Sequence, residues 1–385
     1  MNKKLSFIRK NRLLAIVGLI ILLITLTSCR IETKKVEEGV STNTVLEKSE
    51  ADKVKEKVQS MSIEEKVGQL FLARVPDEMK IEDIEHYQLG GYLLFSRDFQ
   101  GKTPDVFMQE ITNFQTASVI PMFIACDEEG GNVSRINSGE GFIAEPFKSP
   151  RELYALGGLE AIKTDTQNKS RILKSYGINV NLAPVVDVSQ NEASYIYDRT
   201  VGLDAQGTAE YAAGVIPVMK TEKIGNCLKH FPGYGDNPDT HTDIVVDDRP
   251  LSVLETGDFL PFQAGIKAGA DSVLISHNIV NCVDASLPAS MSLTVHQLLR
   301  NKMGFTGVIM TDDFDMEGLS AFMDFNTAAI TTLQAGSDLL ISSHYKTQIP
   351  VILDAVNNGT LSIENLDSSV GRILQWKAQL GILNL

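Results

Sequence analysis

The chain is expected to fold as an α/β protein, a single (β/α)8 TIM-like barrel preceded by a signal peptide and a flexible linker. Three observations predict this. Short apolar runs of strand length alternate with longer amphipathic stretches over about 320 residues, which is the pattern of a parallel sheet with helical crossovers. Eight such runs can be counted, the number that closes a barrel. Polar, reactive residues recur at one end of five of the runs, where βα loops gather the working groups of such barrels. An open doubly wound sheet is the competing arrangement.

In chain order, the first twelve of the 385 residues hold five positive charges (Lys3, Lys4, Arg9, Lys10 and Arg12), and Leu13 to Leu26 carry none. Fourteen uncharged residues are short for a bilayer span but suit an export signal. The signal is therefore placed at 1–28. Leu26-Thr27-Ser28-Cys29 resembles the lipobox of bacterial lipoproteins, so Cys29 is expected to carry lipid and to attach the protein to the outer face of the cell membrane. An uncleaved membrane anchor is the alternative.

Residues 30–58 hold seven acids, seven bases and no aromatic, so 29–58 reads as a flexible linker, with weak helical character near 50–58. The catalytic domain is placed at 59–385. It opens at Ser62-Ile63-Glu64-Glu65, a capping-box pattern ahead of a helix with Ile63, Val67, Leu70 and Phe71 on one face. The expected strands are 70–74, 92–95, 122–126, 178–184, 225–231, 271–277, 307–313 and 338–343. Helical patterns lie between most of them, at 105–118, 208–221, 258–268 and 294–303.

Composition bounds the function. With 43% hydrophobic residues the chain can bury a large core. Acids outnumber bases 49 to 35, for a net charge of −14, which argues against nucleic acid as a partner. Beyond Cys29 the cysteines are Cys126, Cys227 and Cys282, of which the first two sit in apolar runs and read as small core residues. Neither a structural disulfide nor a cysteine metal site is expected.

The densest chemistry lies in Lys229-His230-Phe231-Pro232-Gly233-Tyr234-Gly235-Asp236-Asn237-Pro238-Asp239-Thr240-His241. An apolar strand feeds a loop rich in Gly and Pro, so two histidines, a lysine and two aspartates stand at a strand end and the turn after it. Asp239 and His241 suit a carboxylate that orients an imidazole for general acid/base work. Read alone, the stretch also admits a solvated polar loop, or a cation held by Asp236, Asp239, His241 and Asp243. Asp312 ends the run Gly307-Val308-Ile309-Met310-Thr311, where a carboxylate could attack an anomeric carbon or stabilise charge on it; an N-cap or a buried salt bridge are its plainer readings. Asp127 to Gly131, Asp187 and Ser276-His277-Asn278 occupy the corresponding place after other runs.

These residues together resemble the family 3 glycoside hydrolases, and among them the single-domain β-N-acetylglucosaminidases. The resemblance rests on the ordered set Met61 to Phe71, Asp127 to Arg135, Asn181 to Val188, Arg199, Lys229 to Gly233, Asp239-Thr240-His241, Pro288 to Ser292 and Thr311 to Met316. It implies that Asp312 is a nucleophile forming a covalent glycosyl-enzyme with retention of configuration, that His241 is the acid/base, and that Asp239 is its dyad partner. It implies also that Asp127, Arg135, Arg199, Lys229 and His230 hold the terminal sugar. Two features depart from the family pattern: Tyr234 stands where histidine is usual, and the segment from His230 to Asp239 is one residue shorter than in many relatives.

Larger relatives recruit an acid/base glutamate from a second domain, whereas only helical patterns follow Ser343 here, so the acid is expected from the barrel itself. Imidazole, with an ordinary pKa of about 6.5, can serve as both acid and base near neutral pH. The expectation is an exo-acting β-N-acetylhexosaminidase that removes terminal non-reducing N-acetylglucosamine, from peptidoglycan fragments, without a cofactor. A β-glucosidase of the same family, a silent glycan-binding lipoprotein and a metal hydrolase are the alternatives, and water or phosphate as acceptor stays open.

Overall fold

The computed structural model describes residues 48–239 and 244–385. The expected export signal, Cys29 and most of the expected linker lie outside the described residues, as does His241. Eight parallel strands form the centre: β1 Phe71–Arg74, β2 Gly91–Leu94, β3 Phe123–Cys126, β4 Val180–Asn181, β5 Cys227–Phe231, β6 Ser272–Ile275, β7 Val308–Asp313 and β8 Leu339–Ser342. They hydrogen-bond in chain order, and β8 pairs with β1 through Phe71 opposite Leu340. Between β4 and β5 the ladder thins to two bridges, Val180 with Gly225 and Val185 with Lys229, so the barrel is nearly closed.

The short β4 has a cause in the sequence. Pro184 lacks an N–H and cannot donate to a ladder, yet its carbonyl accepts from the Lys229 N–H at 3.4 Å, and the Val186 N–H donates to the Lys229 carbonyl at 2.9 Å. Irregular backbone therefore accompanies β5 beyond the end of regular pairing. All four residues of β2, β3, β6 and β8 are buried, as expected for strands covered on both faces.

Helices pack around the strands. Ser62 and Glu65 form the expected reciprocal cap on Ile63–Gln69, with bonds of 3.2 and 2.7 Å. Thr103 followed by Pro104 opens Pro104–Ala117, and Ser149 with Glu152 caps Pro150–Ser175. The helix Phe259–Lys267 comes close to β5 because Gly265 has no side chain; a Cβ there would lie 2.7 Å from the Leu228 methyl groups. Leu228, Phe259, Phe262, Val273 and Ile309 belong to one buried cluster, while Phe71, Phe123, Leu340 and Trp376 belong to a larger one.

Two expectations need correction. The linker expected through residue 58 stops short of that point, because Glu50–Ser60 is helical and packs on the last helix, Ile363–Gln379. Val54 and Val58, one turn apart, are buried there, and Gln375 donates to Glu50. Composition averaged over the whole segment hid this two-valine stripe. The helix expected at 294–303 is α-helical only over Leu293–Gln297 and widens into a π-turn over Leu298–Lys302. Among the described residues no helix is long and apolar enough to cross a membrane.

Candidate active site

A cavity of about 370 Å³ opens at the C-terminal ends of the strands. Its floor follows from barrel geometry: Leu93, Leu182, Leu274 and Ile341 come from or directly follow the even strands β2, β4, β6 and β8, the alternate-strand layering of a filled barrel. The odd strands supply polar groups instead, Arg74 at the end of β1, Asp127 just after β3, Lys229 in β5, and Asp312 and Asp313 in β7. Six of the residues singled out from the sequence line this one space: Asp127, Arg135, Arg199, Lys229, His230 and Asp312.

Lys229 is buried and serves two carboxylates, its Nζ lying 2.7 Å from Asp127 Oδ1 and 2.7 Å from Glu129 Oε1. Arg135 Nη2 donates to Asp127 Oδ2 at 3.1 Å. Arg199 forks onto Glu129, Nε to Oε2 at 3.0 Å and Nη2 to Oε1 at 2.8 Å. Burial alone would raise both carboxyl pKa values, but the cations outweigh it: Lys229 and Arg135 hold Asp127 well below the usual carboxylate range, and Arg199 and Lys229 hold Glu129 down at about 2. Burial would likewise lower Lys229, yet Asp127 and Glu129 raise it above its ordinary value. The network is thus ionised at neutral pH, with fixed donors and acceptors suited to sugar hydroxyls.

The turn after β3 makes this arrangement possible. Gly130 and Gly131 sit at φ 93° and 60°, a left-handed pair that folds the chain back so that the Glu129 N–H donates to the Val133 carbonyl at 2.9 Å. Buried Glu128 then accepts from the N–H groups of Arg135 and Ile136 at 2.9 and 3.2 Å, fixing the segment that carries Arg135.

His230 is oriented from below. Its Nδ1 is 2.7 Å from Asp187 Oδ2, and its Nε2 is 3.1 Å from Arg199 Nη2. Asp187 also accepts the N–H groups of His230 and Tyr234, so one carboxylate ties the end of β5 to the loop beyond it.

Asp312 is partly exposed at the cavity, and its Oδ1 accepts the Asp313 N–H at 2.9 Å. Behind it Arg74 pairs with Asp313 at 2.6 Å and Asp315 at 3.2 Å. Burial raises the Asp313 carboxyl to about 6, with Arg74 opposing the rise. Phe95 lies under both the Arg74 and Arg135 guanidinium groups, at 4.7 and 5.4 Å from its ring centre.

Asp239 does not line the cavity, but its charge and that of Asp312 are both felt at Tyr195, which does. Burial lifts the Tyr195 phenol above its ordinary value, Arg199 opposes, and the two aspartates add to the lift.

Sequence reasoning assigned no role to Glu129, Arg74, Asp313 or Tyr195, and named Asp187 without one. Glu129 and Asp313 stood in strand-end acidic runs that were seen, but which member of a run faces a lysine 100 residues later is a matter of strand register. Tyr195 sits in a loop without any local signal.

Residues 62–376 match the glycosyl hydrolase family 3 N-terminal domain. The beta-hexosaminidase of Xanthomonas campestris pv. campestris (strain B100) is 32% identical over 302 residues, covering 77% of this chain and 90% of that protein. Among solved structures, a glycoside hydrolase family 3 beta-N-acetylglucosaminidase from Paenibacillus sp. str. FPU-7 superposes with a TM-score of 0.79 at 27% identity, covering 85% of this chain and 65% of that one. M tuberculosis LpqI superposes at 0.77 with 27% identity, covering 84% and 96%. A match across most of the barrel, joined to carboxylates and cations converging at its C-terminal mouth, shows that this chain belongs to glycosyl hydrolase family 3 and is a glycoside hydrolase.

Proposed function

We propose that the protein is an exo-acting, retaining β-N-acetylhexosaminidase that releases terminal N-acetylglucosamine. The observation that carries this reading is the convergence of Asp312 with Asp127, Arg135, Arg199, Lys229 and His230 on one cavity closed below by aliphatic side chains. A blind floor favours a chain end over the middle of a polymer. The similarity to proteins named beta-hexosaminidase and beta-N-acetylglucosaminidase supports the choice of sugar.

In this reading the Asp312 carboxylate attacks C1 while His241, partnered by Asp239, protonates the departing glycosidic oxygen. The C1–O bond to the leaving group breaks as the Asp312 ester forms. Water then attacks C1, gives its proton to His241 and returns Asp312 to its carboxylate, so two inversions give net retention. Asp127, Arg135, Arg199, Lys229 and His230 hold the hydroxyls of the sugar. The proposed natural substrates are peptidoglycan fragments, reached by a protein held through lipidated Cys29 on the outer face of the membrane.

The test is a 5-fluoro-sugar trap followed by peptide mass analysis. A label on a peptide containing Asp312 is expected; a label elsewhere, or none despite turnover, refutes the assignment. Turnover of a chromogenic glucoside in preference to the N-acetylglucosaminide refutes the sugar. Cleavage of chitooligosaccharides but not of a GlcNAc–MurNAc disaccharide refutes the peptidoglycan source.

A further inference from the structure

The strand that carries Asp312 is irregular at its end. Neighbouring residues of a regular strand point to opposite faces, yet Asp312 and Asp313 both line the cavity. The pairing with β8 accounts for this: Leu339 stands opposite Met310 but Ile341 opposite Asp313, so β7 holds one residue more than β8 over that interval. A bulge of this kind re-aims a side chain, and it also takes main-chain groups out of the ladder, which other partners must then satisfy.

Side chains supply those partners. The Ile341 N–H donates to Thr311 Oγ1 at 3.1 Å, and the Asp313 N–H donates to Asp312 Oδ1 at 2.9 Å. Main-chain bonding resumes where the Phe314 N–H donates to the Ile341 carbonyl at 3.0 Å. The Asp313 carbonyl lies 3.2 Å from His277 Nε2. On that side the ladder to β6 ends with Ile275 opposite Thr311, and the same register carried two residues onward sets His277 opposite Asp313. An imidazole thus takes over where main-chain pairing has stopped.

His277 is itself fixed. It is buried, with Nδ1 2.7 Å from Ser290 Oγ and the Phe314 ring 5.8 Å away between centres. Ser290 is tied back in turn, its N–H donating to the Ser276 carbonyl at 3.1 Å, while the Ala289 N–H donates to the Asn278 carbonyl at 2.8 Å. A carbonyl only accepts, so Nε2 carries a proton, and in the neutral ring Nδ1 accepts the Ser290 hydroxyl. His277 does not line the cavity, so its influence runs through Asp313. That residue is held at three points: its side chain by Arg74, its carbonyl by His277, and its N–H on the carboxylate of Asp312.

We propose that His277 is a positioning residue for the nucleophile: its Nε2–H, bonded to the Asp313 carbonyl, holds the β7 bulge in the form that aims Asp312 at C1. This rests on the reading of Asp312 as the nucleophile and adds to it a residue that never meets the sugar.

The experiment follows inactivation by 5-fluoro-N-acetylglucosaminyl fluoride. Fluoride departs without a proton from the acid/base, so the rate constant at saturation reports attack by Asp312. The shorter amide of His277→Asn can stand in for Nδ1 and reach Ser290, whereas that of His277→Gln can stand in for Nε2 and reach Asp313. In His277→Asn this rate constant is expected to fall about 10²-fold, the scale of a misplacement of about 1 Å. The half-saturating concentration is expected to stay within about 3-fold, because the groups that hold the sugar are untouched. His277→Gln is expected to remain within about 5-fold of the wild-type rate constant. An unchanged rate constant in His277→Asn overturns the proposal, as does an equal fall in His277→Gln or a loss confined to the half-saturating concentration. Should His277→Asn fail to fold, Ser290→Ala, which removes the second anchor of the ring, decides: a fall of about 5-fold in the same rate constant is expected, and no change overturns the proposal. Peptide mass analysis of the inactivated wild type separates the two readings. A label away from Asp312 refutes the nucleophile and the positioning role with it, whereas a label on Asp312 with His277→Asn reacting as fast as wild type refutes the positioning role alone.

Discussion

Asp187 grips His230 at two points, its Oδ2 lying 2.7 Å from the ring Nδ1 and 3.1 Å from the main-chain nitrogen. One carboxylate oxygen therefore sets both the ring orientation and the backbone that carries it. Asp187→Ala frees the ring to turn away from the sugar and leaves the Tyr234 N–H without its acceptor. A loss of kcat/KM of about 10²-fold is expected, the scale of a misplacement of about 1 Å in an active site. Steady-state kinetics on the chromogenic substrate check it, and a loss below about 3-fold removes Asp187 as a positioning residue.

His241→Ala is expected to lower turnover by about 10²–10⁴-fold, more for poor leaving groups than for activated phenols that depart without a proton. A series of aryl glycosides of graded phenol pKa measures this as a steeper slope in the variant. Parallel slopes would remove His241 as the acid.

Asp313 gives a pH prediction whose sign is the reverse of an ordinary ion-paired carboxylate. Its folded pKa is raised to about 6, against about 4 for an unfolded aspartate. Below pH 4 both states hold the proton and the group is neutral in its effect. Between about 4 and 6 the unfolded chain has released the proton while the folded one retains it, so stability contributed by the site falls as pH rises, then levels off above 6. The span corresponds to roughly 3 kcal/mol. Urea midpoints of the wild type relative to Asp313→Asn should therefore decline from pH 4 to 6; a relative gain over that window contradicts the assignment.

Lys377, on the last helix, is fully buried with Nζ 2.7 Å from Gln69 Oε1 and 4.9 Å from the Phe123 ring centre. Burial pushes its amine well below the ordinary lysine value. The unfolded chain binds a proton that the folded one resists, so the group costs stability at neutral pH, and the cost shrinks as pH climbs toward about 10. Lys377→Met is expected to raise stability at pH 7 by about 1–3 kcal/mol, with the advantage narrowing at pH 10. Denaturant titrations at the two pH values decide it, and a Met variant less stable at pH 7 means the amine has a structural role.

Much of the fold was legible because its signals are local. Apolar runs of strand length need no partner to be recognised, and each of the eight strands falls within or one residue outside the stretch expected for it. Strand ends carrying Asp127, Lys229, His230 and Asp312 could be read in the same way, since barrel topology brings every such end to one mouth. What escaped was set by distant packing. Val54 and Val58 become a buried face only when the last helix covers them, and Glu129 joins the ion-pair network of the cavity only through Lys229 and Arg199. Tyr195 depended on a loop whose course is fixed by Arg151, a residue with no signature of its own.

The ion-paired lining has a further effect. Three anions, Asp127, Glu129 and Asp312, stand with three cations, Arg135, Arg199 and Lys229, so the formal charges of this group cancel before any guest arrives. A monosaccharide bearing a free amine or a uronic acid would add an ion to a group whose formal charges already balance, and would surrender hydration in doing so. Uncharged sugars suffer no such penalty, so a lining of this kind sorts monosaccharides by electroneutrality as well as by shape.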